Sequence, residues 1–436
     1  MPNIIKNQKA ILAKLGIQKL NDMQDEAHLA IQSFPNVVLL SPTGTGKTLA
    51  FLLPVIAELD PACKEVQAMI IAPSRELAIQ IEQVARNMGT GYKINAFYGG
   101  RAFSKDRMDL NNRPAILVGT PGRVADHLRK KTFTTDDVKV LVLDEFDKSL
   151  EIGFDDDMED IIHHIPTDIK KILTSATQEV KVPKFVDFKK PVEVNYLGEG
   201  ESKLTLKAII SPEKDKLNTL LHSLAHIGNQ PGIIFCNFRN SIERVSDFLH
   251  DNNIDHGCFH GGMEQQDRER ALIKFRNGTQ QIIVATDLAA RGIDIPEIKF
   301  IIHYHLPVKE HEFTHRNGRT ARMHNNGTAY VLQWKEEPLP DFIKDPAIEE
   351  LHVASLPSPT KWDTLFISGG RKDKISKGDI AGTFMKKGGL NKDELGLIEI
   401  KQDCAFVAVA KSKTKHLIDS FNNSRIKKRK VRIYSI

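Results

Sequence analysis

Cysteine is scarce in this chain of 436 residues. There are four, Cys63, Cys236, Cys258 and Cys404, and no two stand in a C-x-x-C pair. That spacing supports neither a disulfide framework nor a zinc-ribbon site. No apolar run approaches the ~20 residues that a membrane-spanning helix needs, and the first residues lack the basic-then-apolar pattern of a secretion signal. The expectation is a protein of the reducing cytoplasm with no membrane partner. Aromatic residues make up only 7%, and none precedes Phe34. Excess charge is also missing from most of the chain: the first 361 residues carry 44 Lys+Arg against 48 Asp+Glu. Residues 362–436 differ, with 17 Lys+Arg against 8 Asp+Glu. A mildly acidic body with a basic tail suggests a polyanion-binding module joined to an engine.

The chain is organised around Ser41-Pro42-Thr43-Gly44-Thr45-Gly46-Lys47-Thr48. The apolar run Val37–Leu40 precedes it and Leu49–Leu53 follows it, which predicts strand, glycine turn and helix start. Such a turn gathers backbone N–H groups and the positive end of a helix dipole, and a phosphate chain fits there. Lys47 would reach the β and γ phosphates, and the Thr48 hydroxyl would ligate Mg²⁺. Ser41 stands where the strict pattern wants Gly. A Gly/Thr-rich turn ahead of a core helix is the plainer alternative.

Length suggests about three domains. Apolar strands are predicted near 37–40, 67–72, 115–118, 139–143 and 170–174, alternating with helices near 46–58, 75–88 and 121–130. This alternation argues a parallel sheet covered on both faces. Gly198–Ser202 has linker composition, after which the alternation restarts with strands near 205–210, 232–236, 254–259, 280–285, 299–303 and 328–332. A Pro-rich break over 338–361 precedes a small α+β segment. The boundaries expected are 1–198, 203–345 and 362–436.

Asp144-Glu145-Phe146-Asp147 directly follows the apolar run Val138–Leu143. Two acidic residues at the end of a buried strand, downstream of a phosphate loop, suit a metal and an attacking water: Asp144 for the ion, Glu145 for the water. Taken singly, the tetrapeptide could equally be a solvated acidic turn.

Together these motifs resemble the DEAD-box family of RNA helicases, over roughly residues 15–335. Gln24, spaced after Gly16, matches the family's adenine-reading glutamine. Further matches are Pro73-Ser74-Arg75-Glu76-Leu77-Ala78, Gly99-Gly100, Thr120-Pro121-Gly122-Arg123 and Ser175-Ala176-Thr177. The second half adds Asn237, Gln265-x-x-Arg268, Thr286-Asp287 through Asp294, and His315-Arg316-Asn317-Gly318-Arg319-Thr320-Ala321-Arg322. The resemblance implies two tandem RecA-like α/β domains binding ATP and Mg²⁺. It implies that Gln24 reads adenine, that Thr43, Gly44, Thr45, Gly46, Lys47 and Thr48 hold phosphates, and that Thr48 and Asp144 hold the metal. Glu145 would serve hydrolysis, Arg319 and Arg322 would act as arginine fingers, and Asp294 would contact the ribose. Asp147, Ser175, Thr177 and His315 would couple nucleotide to RNA. Arg75, Gly100, Thr120, Arg123, Asn237, Arg268 and Thr286 would grip the RNA backbone.

Three departures from the family stand out. Phe146 occupies an Ala position, which predicts altered packing with the chemistry retained. Ala321 replaces a Gly between the two fingers. The family's aromatic upstream of the glutamine is missing, so aliphatic side chains such as Ile4 or Ile5 are expected to cover the adenine. His311-Glu312-Phe313-Thr314-His315 also matches the zinc-protease pattern H-E-x-x-H. Arg316 and Arg319 on the same helix would oppose a dication, and the third-ligand position is Ala321, so the helicase reading is preferred.

The segment 363–434, with Gly369-Gly370-Arg371-Lys372-Asp373-Lys374 and Gly378-Asp379-Ile380, looks like the RNA-binding domain of DbpA-type DEAD-box proteins, a variant of the RNA-recognition-motif fold. Its strand Asp403–Ala408 has one aromatic where a base-stacking strand wants two or three. The basic run Lys427–Lys430 and nearby loops are therefore expected to do the reading. The resemblance implies remodelling of structured ribosomal RNA in a pre-ribosomal particle of the large subunit. An ATP-gated RNA clamp or annealing chaperone with little unwinding is the competing reading, and a DNA translocase a further one.

Overall fold

In the computed structural model, residues 4–151, 153–177, 182–198, 204–287, 298–320 and 326–436 are described. The described residues from 4 to 198 build one compact unit, and those from 204 to 436 build a second.

The first unit, lobe 1, is a seven-stranded parallel sheet. Its strands are β1 (Asn36–Leu40), β2 (Ala68–Ile71), β3 (Ile94–Phe97), β4 (Ile116–Gly119), β5 (Val140–Leu143), β6 (Lys170–Ser175) and β7 (Val192–Asn195), in spatial order β3-β4-β2-β5-β6-β1-β7. The helices are α1 (Gln8–Leu15), α2 (Asp22–Ser33), α3 (Lys47–Glu58), α4 (Arg75–Asn87), α5 (Phe103–Leu110), α6 (Pro121–Arg129), α7 (Phe146–Glu151) and α8 (Asp155–His163). Central strands such as β2 and β5 are buried at every position. They therefore read as continuous Val/Ile/Leu runs, because helices cover both faces. Two apolar layers result, one around α3 and α4 and one around α6 and α8. Phe146 is fully buried in the second layer, with Met158, Ile161 and Val186.

Two strands, β3 and β7, were absent from the sequence expectation. Each has four residues, and β7 is an edge strand with one buried position. So short a run carries little periodic signal.

The second unit opens with another seven-stranded sheet, lobe 2. Its elements are β8 (Leu204–Ser211), α9 (Leu217–Ile227), β9 (Gly232–Phe235), α10 (Arg239–Asp251), β10 (His256–Phe259), α11 (Gln265–Arg276), β11 (Ile282–Ala285), β12 (Phe300–His303), α12 (Glu310–Asn317), β13 (Gly327–Trp334) and β14 (Ala347–Ile348). The spatial order is β10-β11-β9-β12-β13-β8-β14. Both lobes have the RecA-like doubly covered sheet.

The C-terminal domain follows, with β15 (Trp362–Ile367), α13 (Lys377–Gly382), β16 (Leu395–Ile400), β17 (Ala405–Ala410), α14 (Thr414–Phe421), a small hairpin of β18 (Arg425–Ile426) and β19 (Arg429–Lys430), and β20 (Ile433–Ser435). Its antiparallel sheet runs β16-β17-β15-β20. One face packs Leu365, Ile367, Val407 and Ile433 against the helices. The opposite face aligns Phe366 with Phe406 and Tyr434, at ring-centroid distances of 5.6 and 4.7 Å. Strand β17 itself carries the single aromatic expected of it, and β15 and β20 add Phe366 and Tyr434 beside it. Counting along one strand misses rings that neighbouring strands deliver.

Candidate nucleotide and RNA site

The lobe 1 residues singled out from sequence gather at the carboxyl ends of the parallel strands, where open α/β sheets bind ligands. The phosphate-loop residues follow β1, Asp144 follows β5, and Ser175 ends β6. Arg75 follows β2, Gly100 follows β3, and Thr120 follows β4. The strand order therefore separates a β5-β6-β1 sector from a β3-β4-β2 sector along one edge.

In the first sector, Gly44 and Gly46 take positive φ values of 85° and 89°. A Cβ on Gly46 would lie 2.3 Å from Gln24 Nε2. Glycine is required there for conformation and for space. Lys47 is buried, and its Nζ donates to the Ser41 and Pro42 carbonyls at 2.5 and 2.8 Å. The Ser41 and Thr45 hydroxyls lie 2.7 Å apart and cross-brace the loop. Gln24 sits at the third position of α2, in a capping box with Asn21. Its Oε1 accepts from Asn21 N at 3.1 Å and its Nε2 donates to Gly46 O at 3.2 Å. One acceptor lone pair and one N–H of that amide remain, the complement of an adenine edge. Asn21 Nδ2 donates to Thr45 O at 3.1 Å, so the cap of α2 and the phosphate loop are one assembly.

Ile5 lies elsewhere. Its N–H donates to Thr90 O, and Lys6 donates to the Ala57 and Leu59 carbonyls. That places it by the C-terminal end of α3, roughly 17 Å along the helix axis from Lys47 at 1.5 Å per residue. The expectation that Ile5 covers an adenine beside Gln24 is corrected: the N-terminal segment is drawn to the core under α3.

Asp144 is buried, and its carboxyl is pushed up to about 6, first by burial and then by the charge of Glu145. Thr174 was not anticipated. Its hydroxyl donates to Asp144 Oδ1 and accepts the Glu145 N–H at 3.1 Å, so one side chain positions both acids. Glu145 has a φ of 46°, left-handed backbone in a residue with a Cβ. Strain of this kind costs about 1–3 kcal/mol and collects at functional sites. Asp147 Oδ2 accepts from Thr177 Oγ1 at 3.3 Å, and the Thr177 N–H donates to Ser175 Oγ at 3.0 Å. The end of β6 is thereby tied to α7.

The second sector has a hub that the sequence did not announce. Asp106 of α5 is fully buried and lies 2.9 Å from Arg101, 3.3 Å from Arg123 and 3.2 Å from His127. His127 stacks on Phe103 at 4.3 Å with a 13° interplanar angle, and Arg123 covers the same ring. Arg123 Nε donates to Tyr98 O at 3.1 Å. A Cβ on Gly99 would come 3.4 Å from the Arg75 guanidinium, which packs against the glycine pair.

In lobe 2, Asn237, Thr286 and His315 also follow strands, after β9, β11 and β12. Their centre is Arg316. Its Nε and Nη2 donate to the two Asp287 oxygens at 2.6 Å each, and Nη2 donates to Asn237 Oδ1 at 2.8 Å. Its Nη1 donates to His305 O at 2.8 Å, and the guanidinium covers Phe235. Burial and the Arg316 charge hold His303 down to about 3, while its Nε2 bonds Asn317 Oδ1 at 3.0 Å. Arg268 is buried, with its guanidinium 4.9 Å from the Phe259 ring centroid. Arg319 is buried one turn beyond Arg316. Asp294, Ala321 and Arg322 lie outside the described residues. Glu312 of the H-E-x-x-H stretch accepts the Val308 N–H at 3.0 Å and so caps α12.

Comparison with known proteins supplies the family. The DEAD/DEAH box helicase family matches residues 21–185, the helicase conserved C-terminal domain matches 215–324, and the DbpA RNA binding domain matches 364–434. "ATP-dependent RNA helicase DbpA" of Bacillus subtilis is 31% identical, covering 97% of this chain and 96% of that one. The protein of the same name from Escherichia coli is 30% identical over 97% and 95%. Among solved structures, S. cerevisiae Dbp5 bound to RNA and ADP BeF3 superposes with a TM-score of 0.69 at 28% identity, over 76% of this chain and 88% of that one. Fold and site together define a DEAD-box ATP-dependent RNA helicase, an RNA-dependent ATPase. Within that class the chain belongs to the DbpA family.

Proposed function

We propose that this helicase remodels structured ribosomal RNA during assembly of the large ribosomal subunit, in the cytoplasm. The C-terminal domain anchors one RNA element, and the two lobes work on a duplex beside it. The observation that carries this reading is the charge split, with 17 Lys+Arg against 8 Asp+Glu confined to residues 362–436. The hairpin Arg425–Lys430 concentrates it, beside Lys374 and the Gly369-Gly370 turn.

The residues of lobe 1 fit ATP with Mg²⁺. Gly44 and Gly46 leave room at the turn, Lys47 brings an ammonium to it, and the two side chains proposed for the ion, the Thr48 hydroxyl and the Asp144 carboxyl, offer oxygen, as a hard dication requires. Thr48 and Asp144 would hold the ion, which neutralises charge on the β and γ phosphates. Glu145 orients the attacking water, and Gln24 selects adenine through its remaining amide valences. Arg319 and Arg322 stabilise the transferring phosphoryl group. Arg75, Gly100, Thr120, Arg123, Asn237, Arg268 and Thr286 hold the RNA backbone.

The test uses the full chain and a version lacking residues 363–436. Both should show ATPase activity with high concentrations of generic RNA. Only the full chain should respond to low concentrations of a large-subunit ribosomal RNA fragment. An equal response from the truncated protein would refute the anchoring role. Crosslinking to RNA in cells, followed by sequencing, identifies the element.

A further inference from the structure

The open face of the C-terminal sheet is built like a nucleobase platform yet is partly occupied by lobe 2. Residues directly paired across strands share a face, so Thr364, Phe366, Phe406, Glu399 and Tyr434 belong together. The chain turn that ends α11 lies on them. Arg276 donates to both Glu399 oxygens, at 2.6 and 3.0 Å. Asn277 Nδ2 reaches Thr364 Oγ1 at 3.5 Å, and the Thr279 and Thr364 hydroxyls lie 2.6 Å apart. Gly278, at φ 73°, bends the chain there, and a Cβ on it would lie 3.5 Å from Trp362. Two turns earlier on the same face of α11, Glu269 pairs with Lys401 at 2.8 Å. Lys401 in turn lies 3.8 Å from Glu399, so the charges alternate along the helix.

The pairing is specific in three ways. The Arg276–Glu399 contact is a bidentate fork, each side chain about one-fifth exposed. Thr364 is completely buried, and it is a polar residue on a face that an isolated domain would turn to water. Phe406, paired with Glu399, is only 4% exposed, whereas a ring that stacks a base must be open to it, as Tyr434 is at 42% on the outer strand.

We propose that the part of this sheet face around Thr364, Glu399 and Phe406 is a docking surface for lobe 2 and not a site for nucleobases. The C-terminal domain then moves with α11, the helix that also carries Arg268. Any RNA held by the domain is gripped by its loops and basic hairpin, and is carried with lobe 2. That last consequence rests on the anchoring role proposed above, while the docking itself does not.

The test is a cysteine pair, Thr279→Cys with Thr364→Cys, in the full chain. A disulfide should form on mild oxidation. The oxidised protein should bind a large-subunit ribosomal RNA fragment within about twofold of its reduced form. Loss of RNA binding on oxidation, restored by reductant, would show that the face must open to RNA and would overturn the proposal. Absence of the disulfide is judged by a second measurement, energy transfer between dyes on Lys428→Cys and Lys214→Cys. Arg276→Glu and Glu399→Arg should each lower the transfer, and the double exchange should restore it. Equal transfer in all four proteins would overturn the docking. If neither redox form binds the RNA, the anchoring role fails, while disulfide and dye results still decide the docking.

Discussion

Arg316 and Asp287 are joined by two parallel hydrogen bonds of 2.6 Å, and the same guanidinium holds Asn237 at 2.8 Å. Three stretches far apart in sequence, after β9, after β11 and in α12, are thus fixed to one side chain that is 1% exposed. Removing one partner of such a pair leaves the other charge uncompensated, at a cost of about 3–5 kcal/mol. Arg316→Ala should lower the urea midpoint of unfolding accordingly. Arg316→Lys, which keeps charge but loses the fork, should recover only part of it. An unchanged midpoint in Arg316→Ala would show that the network contributes nothing to stability.

Asp106 plays the matching part in lobe 1 by gathering Arg101, Arg123 and His127. Asp106→Asn keeps the shape and loses the charge that orders the two guanidinium groups. The RNA concentration for half-maximal ATPase stimulation should rise about tenfold, near 1.4 kcal/mol, with kcat and the KM for ATP nearly constant. A matching loss in all three parameters would indicate general damage to the fold.

Gly46→Ala should abolish tight nucleotide binding. Left-handed backbone costs an ordinary residue about 1–2 kcal/mol, and the added methyl group would displace Gln24 Nε2. Gln24→Ala should instead bind ATP and GTP with similar affinities. Fluorescent-nucleotide titration distinguishes the two, and undiminished ATP preference in Gln24→Ala would remove it as the adenine reader.

Arg319→Ala should leave ATP binding nearly intact and reduce turnover by roughly 10³-fold, about 4 kcal/mol of barrier. Lys47→Ala should weaken nucleotide binding itself. Glu145→Gln should accumulate an ATP-bound protein that releases RNA slowly. Steady-state hydrolysis and RNA dissociation measured side by side separate the three roles.

Acid should weaken lobe 2. His303 is held down to about 3 and His305 to about 4, both mainly by burial. In the window from the ordinary value of about 6.5 down to those values, the unfolded chain takes up protons that the folded chain refuses. Stability is therefore fully present above the window and falls as pH falls through it, by up to about 1.4 kcal/mol per pH unit for each histidine. Urea midpoints at descending pH should show the slope, and His303→Gln should flatten it. An identical slope in that variant would assign the effect to other groups.

The local structure of this protein was legible in the sequence where neighbouring residues carry it. The glycine turn after β1, the acidic pair Asp144-Glu145 at the end of β5 and most strands and helices declare themselves because each depends on a short stretch and its periodicity. The charge split between the body and residues 362–436 is likewise a property of the chain alone. Other features depended on contacts between distant segments. Thr174 meets Asp144 only because β5 and β6 run side by side in register. Asp106 becomes a hub only when α5 packs beside α6, and Ile5 is drawn to the end of α3 and away from Gln24. Phe366, Phe406 and Tyr434 form one surface only after three strands pair, and the turn at Gly278 then lies against that sheet. Backbone pairing and burial bring together residues that no local pattern links, so tertiary structure alone decided these contacts.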